Sequence, residues 1–132
     1  MNKQTKRMMK KKIAIVGSVD QGKPSIKAMV VTRREDGGVF YFDSNHSAQT
    51  VASWKECPSA CVYFCDRLIY RGVKLSGTME IIDDMALKEQ HWKPSKKAIY
   101  KGGAADPDYC ILKFTATGGR YYFMYQVEDF EI

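Results

Sequence analysis

Lys27 and the polar cluster Ser44, Asn45, Ser47, Gln49 and Thr50 are the residues of this chain best suited to hold an anion. Lys27 lies in the run Ser25 to Thr32, whose composition predicts a strand, and the cluster stands where a helix should begin. The first turn of a helix carries unpaired backbone N–H groups and about half a positive charge, which attracts phosphate. Hydroxyl and amide side chains add neutral donors there, and Lys27 adds a full charge. The same residues have a plainer reading: Ser47 or Asn45 caps a helix beside a lysine that faces water. On local chemistry alone the plainer reading leads. Asp43 counts against a phosphate, because a neighbouring carboxylate is repulsive unless it points away.

Other chemistries find little support. There are 2 histidines, His46 and His91, and neither sits in a GxSxG or cysteine-protease context. HExxH, the phosphate-loop pattern GxxxxGK[ST] and GxGxxG are all missing. Glu80, Asp83 and Asp84 are too scattered to specify an acid–base pair. Cys57, Cys61 and Cys65 are spaced C-x3-C-x3-C, but Pro58 and the run after it favour a strand. On a strand, Cys61 and Cys65 share a face about 13 Å apart, beyond a disulfide or a common metal ion. Together with Cys110, the cysteines are expected to be buried thiols serving as small hydrophobes.

The elements that position these residues follow from composition and punctuation. A chain of 132 residues is one domain, with a net charge of +6. Lys3, Lys6, Arg7, Lys10, Lys11 and Lys12 carry that excess, since the remaining 15 cations match the 15 acids. Residues 1–12 therefore read as a basic N-terminal arm, solvated and poorly ordered, ahead of a domain over 13–132. No aromatic residue is interleaved with its lysines as a stacking platform, so nucleic acid is not the expected partner. No stretch approaches the roughly 20 apolar residues of a membrane helix, and no secretory cleavage pattern stands out. A cytoplasmic location is the default expectation.

In order along the chain, strands are predicted over Ile13 to Val19, Ser25 to Thr32 and Val39 to Asp43, linked by the turns at Gln21–Gly22 and Gly37–Gly38. A helix runs from Ala48 to about Glu56, where Pro58 stops it. Strands Ser59 to Asp66 and Tyr70 to Asp83 come next, the latter with Gly72 and Gly77 inside it as bulge or corner signals. A helix from Met85 to about Trp92, capped by Asp83 or Asp84, precedes a short irregular piece, Ser95 to Tyr100. Two closing strands, Tyr109 to Thr117 and Arg120 to Gln126, are joined by Gly118–Gly119. About seven meandering strands with interior glycines point to a mainly β chain, an antiparallel barrel with peripheral helices. The βαβ alternation of a parallel sheet is absent.

Four blocks in this order add a resemblance: G-K-P-x-I-K-A-M, F-Y-F-x-S-N-x-S, Y-R-G-V-x-L-x-G-T-M-E and G-G-x-x-D-P-D-Y-C-I-L-K-F. Together they resemble the pyridoxamine 5′-phosphate oxidase-like superfamily, more narrowly the small flavin-binding group related to general stress protein 26. The resemblance implies a split β-barrel of the FMN-binding type, with Greek-key or meander strands, that forms a homodimer with FMN at the subunit interface. On that pattern Lys27 meets the FMN phosphate, Met29 and Val30 follow the isoalloxazine ring with backbone groups, and Ala28 between them counts among the cofactor-binding residues. Phe42, Asp43 and Ser44 lie along the ribityl chain, and Ser47, Gln49 and Thr50 complete the phosphate pocket. Gln49 falls where relatives commonly carry a lysine, and Lys27 replaces a frequent arginine, trading bidentate recognition for a point charge. The chain ends in the acidic QVEDFEI, unlike the basic segment that grips the substrate phosphate in true pyridoxamine phosphate oxidases. The implied function is an FMN-dependent oxidoreductase acting on an unspecified substrate. The alternatives are a flavin, haem or deazaflavin module without turnover, and a relative that has lost flavin. Tyr63, Tyr70, Trp92, Tyr121 and Tyr122 are candidates for pocket walls, although for each alone ordinary core is the simpler account.

Overall fold

The computed structural model describes Met1–Ile132. Its elements are α1 (Lys3–Met8), β1 (Ile13–Asp20), β2 (Lys23–Val30), β3 (Arg33–Glu35), β4 (Val39–Asn45), α2 (Gln49–Glu56), β5 (Ser59–Asp66), β6 (Arg71–Ile82), α3 (Met85–His91), β7 (Tyr109–Phe123) and β8 (Gln126–Glu131), with 3-10 turns at Pro94–Ala98 and Gly103–Ala105. The strands form one antiparallel sheet in the order β2-β1-β5-β6-β7-β4-β3, with β8 added along β7. The sheet curls until its ends meet at one corner, where the Thr32 amide donates to the Tyr41 carbonyl at 2.8 Å and β2 touches β4. Away from that corner β2 pairs only with β1, which leaves the barrel split.

Period-two alternation fills the inside. Ala14, Val16, Phe40, Phe42, Val62, Phe64, Val73, Leu75, Leu112 and Phe114 all point into one core, where Phe40 packs against Phe64 and Phe114 at ring separations of 5.5 and 6.4 Å. Val51 and Trp54 of α2, three positions apart and so on one side of the helix, bring its apolar face onto the same core. The curl depends on Gly77, where β6 shifts register against β7. A Cβ there would lie 2.0 Å from the Thr115 carbonyl oxygen, so only glycine allows the two backbones to approach.

Three expectations need correction. The basic segment is not a solvated arm, because Asn2 caps α1 through the Thr5 amide and Met8 enters the core with 1% exposure. The cations of α1 decorate a helix whose apolar side pays for docking it. Gly118–Gly119 does not join two strands. Both lie within the 15-residue β7, where a Cβ on Gly119 would strike the Phe130 ring and the Lys74 carbonyl; the turn falls at Met124, which adopts φ 54°. The glycines serve close strand packing and the chain reverses where the side chains are exposed. Among the cysteines, only Cys110 is buried, Cys65 is exposed, and Cys57 and Cys61 are half-buried. Arg33–Glu35 also forms a short strand against Val39–Tyr41, making eight strands. No helix is long and apolar enough to cross a membrane.

Docking of α1 is testable by Met8→Ala. Truncating a buried methionine should lower unfolding free energy by about 2–4 kcal/mol in urea denaturation, whereas Lys10→Ala, on an exposed position, should leave it unchanged. Equal stability of Met8→Ala and the parent would mean that α1 is not docked in solution.

Candidate functional site

The split between β2 and β4 opens toward the start of α2. Lys27 pairs with Val16 in the β1–β2 ladder and therefore projects from the face of β2 shared with Val16 and Ala14 on β1. It is exposed and forms no ion pair. Lys27 stands on β2, which pairs only with β1, and Ser47 follows the end of β4 at Asn45. Helix α2 packs against β1, and the Gln49 side-chain amide donates to the Asp20 carboxylate at the far end of that strand.

Neither Ser47 nor Asn45 caps α2. The cap position is Ala48, which has no side-chain acceptor, and Ser47 is turned to another task. Its amide and its hydroxyl donate to the two carboxylate oxygens of Asp108, each at 2.8 Å. The Asn45 side-chain amide donates to Ser47 Oγ at 2.7 Å and so orients it. Thr50, in the first turn, has a buried hydroxyl with no partner. An unsatisfied buried hydroxyl costs about 1–3 kcal/mol, and this one is closed to solvent.

Strand alternation divides the other expected residues. Phe42, fully buried, and Ser44 point inward, and the Ser44 carbonyl accepts from Tyr100 OH at 3.1 Å. Asp43 points to the opposite side, where Lys96 Nζ meets it at 2.5 Å and Tyr109 OH donates to it at 3.2 Å. Its charge is thus matched away from the split. On β2, Met29 is buried in the core while Ala28 and Val30 are exposed on the outer face. The structure thus brings Ser47, Gln49 and Thr50 together with Asn45, holds Lys27 on the opposing strand, and sends Asp43 elsewhere. Of the aromatic candidates, Tyr121 is core and accepts from Arg71 at 3.0 Å, Trp92 packs on Tyr109 at 5.6 Å, Tyr63 and Tyr122 are half-buried, and Tyr70 is exposed.

Several contributors escaped the sequence reading. Asp108 comes from the loop after the second 3-10 turn, and the loop is cinched by Asp106. That carboxylate accepts from the amides of Gly102 and Asp108, both at 3.0 Å, which holds it below the usual carboxylate range. Behind Asp43 lies a second small core of Tyr41, Tyr100, Tyr109 and Ile111. The Tyr109 ring centre has the ammonium groups of Lys88 and Lys96 at 5.6 and 5.8 Å, favourable contacts for a ring face. Burial and then the Asp43 charge push the Tyr100 phenol up to about 12, and the same causes raise Tyr109. Burial pushes the Cys110 thiol up to about 11, so it stays protonated near neutrality. The DPDY block carried a signal of its importance, but the meeting of Asp108 with a serine 61 positions away has no trace in spacing.

Chemically, the start of α2 gathers hydrogen-bond donors of the kind that hold an oxyanion. Ser47 already holds a carboxylate with one backbone and one side-chain donor, Thr50 has a buried hydroxyl without a partner, and the helix start lacks a side-chain cap. Donors of this kind can hold a phosphate, and those of Ser47 become free for one only when Asp108 withdraws.

A split β-barrel with a seat of this kind defines the class of protein. The chain belongs to the pyridoxamine 5′-phosphate oxidase-like family, whose model matches residues 1–126. It is similar, at 34% identity and a TM-score of 0.85, to the solved structure of a protein related to general stress protein 26 from Clostridium acetobutylicum, over 98% of this chain and 92% of that one. General stress protein 26 from Bacillus anthracis shares the fold at 19% identity and a TM-score of 0.77, over 97% and 95% of the two chains. So does a heme binding protein from Mycobacterium smegmatis at 14% identity and a TM-score of 0.72, over 96% of this chain and 56% of that one. No curated protein matches the sequence.

The buried phenol gives a test of the second core. Between pH 10 and about 12 the folded protein keeps the Tyr100 proton that the unfolded chain loses. Folding stability is therefore intact below pH 10 and should fall as pH rises through that window. Denaturation across this range should show a shallower decline for Tyr100→Phe; an identical slope would mean that Tyr100 ionises freely.

Proposed function

We propose that this protein binds FMN in the β2–β4 split and acts as an FMN-dependent oxidoreductase, working as a homodimer with the cofactor at the subunit interface. The observation that carries this reading is the pair of Ser47 donors on an oxyanion at the start of α2, supported by Lys27 of β2, which has no counter-charge. Bound FMN supplies the redox chemistry by accepting or donating a hydride. The protein's own residues bind and orient: Lys27 offers charge to the phosphate, Ser47 and Thr50 offer hydrogen bonds, and Ser44 stands beside them on the inward side of β4. Ile26, at 75% exposure, Ala28 and Val30 leave an exposed apolar strip on the outer face of β2, the side away from Lys27, which a second subunit would cover. Gln49, occupied with Asp20, adds no charge, so binding rests on a single lysine.

Pyridoxamine phosphate is not the proposed substrate. Strand β8 is exposed and carries Glu128, Asp129 and Glu131, and Asp129 takes up Arg120 at 2.6 Å, which leaves nothing basic there to grip a substrate phosphate.

Purified protein should be yellow or should bind added FMN with quenching of flavin fluorescence. Lys27→Ala should weaken that binding by at least about 1 kcal/mol, the scale of a charge-assisted hydrogen bond. Unchanged affinity would assign Lys27 to the solvent-facing surface, and a haem band in place of a flavin spectrum would overturn the cofactor. Light scattering should return a dimer; a monomer would contradict the shared interface.

A further inference from the structure

The fold gives His46 a partner on each side of its ring. Nε2 lies 2.7 Å from the carboxylate of Asp83, just past the end of β6. Nδ1 lies 3.1 Å from Nζ of Lys55, in the last turn of α2. An ammonium group only donates, so Nδ1 accepts from Lys55 and the ring hydrogen sits on Nε2, directed at Asp83. Both nitrogens of the neutral ring are thereby engaged. Lys55 makes no ion pair with a carboxylate, so the imidazole is what holds it.

A proton on the ring changes one contact and keeps the other. Imidazolium carries hydrogen on both nitrogens, so it cannot accept from Lys55, and it repels the like charge. The Asp83 contact survives and becomes an ion pair. The His46 side chain is 25% exposed and that of Asp83 59%, so the proton enters without unfolding. The other groups around this turn are already committed. Asp108 takes the His46 amide on its carbonyl at 2.8 Å, and Asp84 accepts from the Leu87 amide. Lys88 of α3 reaches the Asp106 carbonyl at 3.4 Å and the Tyr109 ring, and burial keeps the Cys110 thiol protonated.

His46 immediately precedes Ser47, whose amide and hydroxyl hold the Asp108 carboxylate. A proton taken up by the ring therefore adds a full positive charge beside those donors and releases the Lys55 ammonium near them. We propose that the Asp83–His46–Lys55 chain is a pH-sensitive latch that tightens the hold of the start of α2 on a dianionic oxyanion in mildly acidic solution. An added cation attracts a dianion twice as strongly as a single carboxylate at the same distance, so it favours exchange of Asp108 for the dianion. The latch rests on the reading of the start of α2 as an oxyanion site and not on that oxyanion belonging to FMN.

Sulfate stays a dianion throughout the range in which imidazole titrates, which makes it the probe. Titrating the full chain with sulfate at constant ionic strength, and following the Ser47 amide by NMR, should show saturable binding. That binding should be about three- to ten-fold tighter at about pH 5.5 than at about pH 7.5. His46→Gln should abolish the difference. Lys55→Met, at an exposed position, should move the rise in affinity to higher pH, because no neighbouring cation then opposes the proton. Equal affinity at the two pH values, a pH dependence retained in His46→Gln, an unmoved profile in Lys55→Met, or no saturable sulfate binding would each overturn the proposal. FMN binding is read separately by flavin fluorescence. A protein that binds FMN but takes up sulfate independently of pH loses only the latch, and one with pH-dependent sulfate binding but no flavin loses only the cofactor.

Discussion

Each side chain of strand β4 can face only one side of the sheet, and that constraint organises the molecule. Phe40, Phe42 and Ser44 face the barrel interior, while Tyr41 and Asp43 face a second core outside it. A slip of one residue would exchange the two sets and turn the Asp43 carboxylate into the barrel interior. The register is pinned on both flanks, by seven pairings with β7 and by Arg33–Glu35 on the other edge. Asp43 is therefore held away from the split by the same packing that buries Phe42.

The second core converts that orientation into a scaffold. Asp43 gathers Lys96 and Tyr109, Tyr100 reaches the Ser44 carbonyl, and Trp92 packs on both tyrosine rings. These contacts tie the segment between α3 and β7 to the back of β4. One end of that segment carries Asp108 to Ser47. Removing the Asp43 carboxylate would thus disturb the Ser47–Asp108 contact without touching it directly.

Much of this was legible in the sequence because it is local. Turn residues at Gln21–Gly22 and Gly37–Gly38 place the early hairpins, and Gly77 marks the bend in β6. The resemblance carried by four ordered blocks supplied the split-barrel topology, which local patterning left as an unspecified barrel. Gly118–Gly119 misled, because glycine needed for close approach to Phe130 and Lys74 has the same appearance as glycine needed for a turn. The basic segment misled for a similar reason: six cations hid a helix anchored by Met8. Ser47 looked like a cap, and only the fold shows its donors facing Asp108, a contact between distant segments with no local signature.

The central claim is that the split between β2 and β4 seats a phosphate between Lys27 and the start of α2. A crystal structure of the protein grown with FMN tests it most directly. The account predicts phosphate density within hydrogen-bonding reach of Lys27 Nζ, Ser47 and the Thr50 hydroxyl, with the Asp108 carboxylate displaced from Ser47. FMN bound with its phosphate away from Lys27, or Asp108 still seated on Ser47 beside a fully occupied flavin, would contradict it.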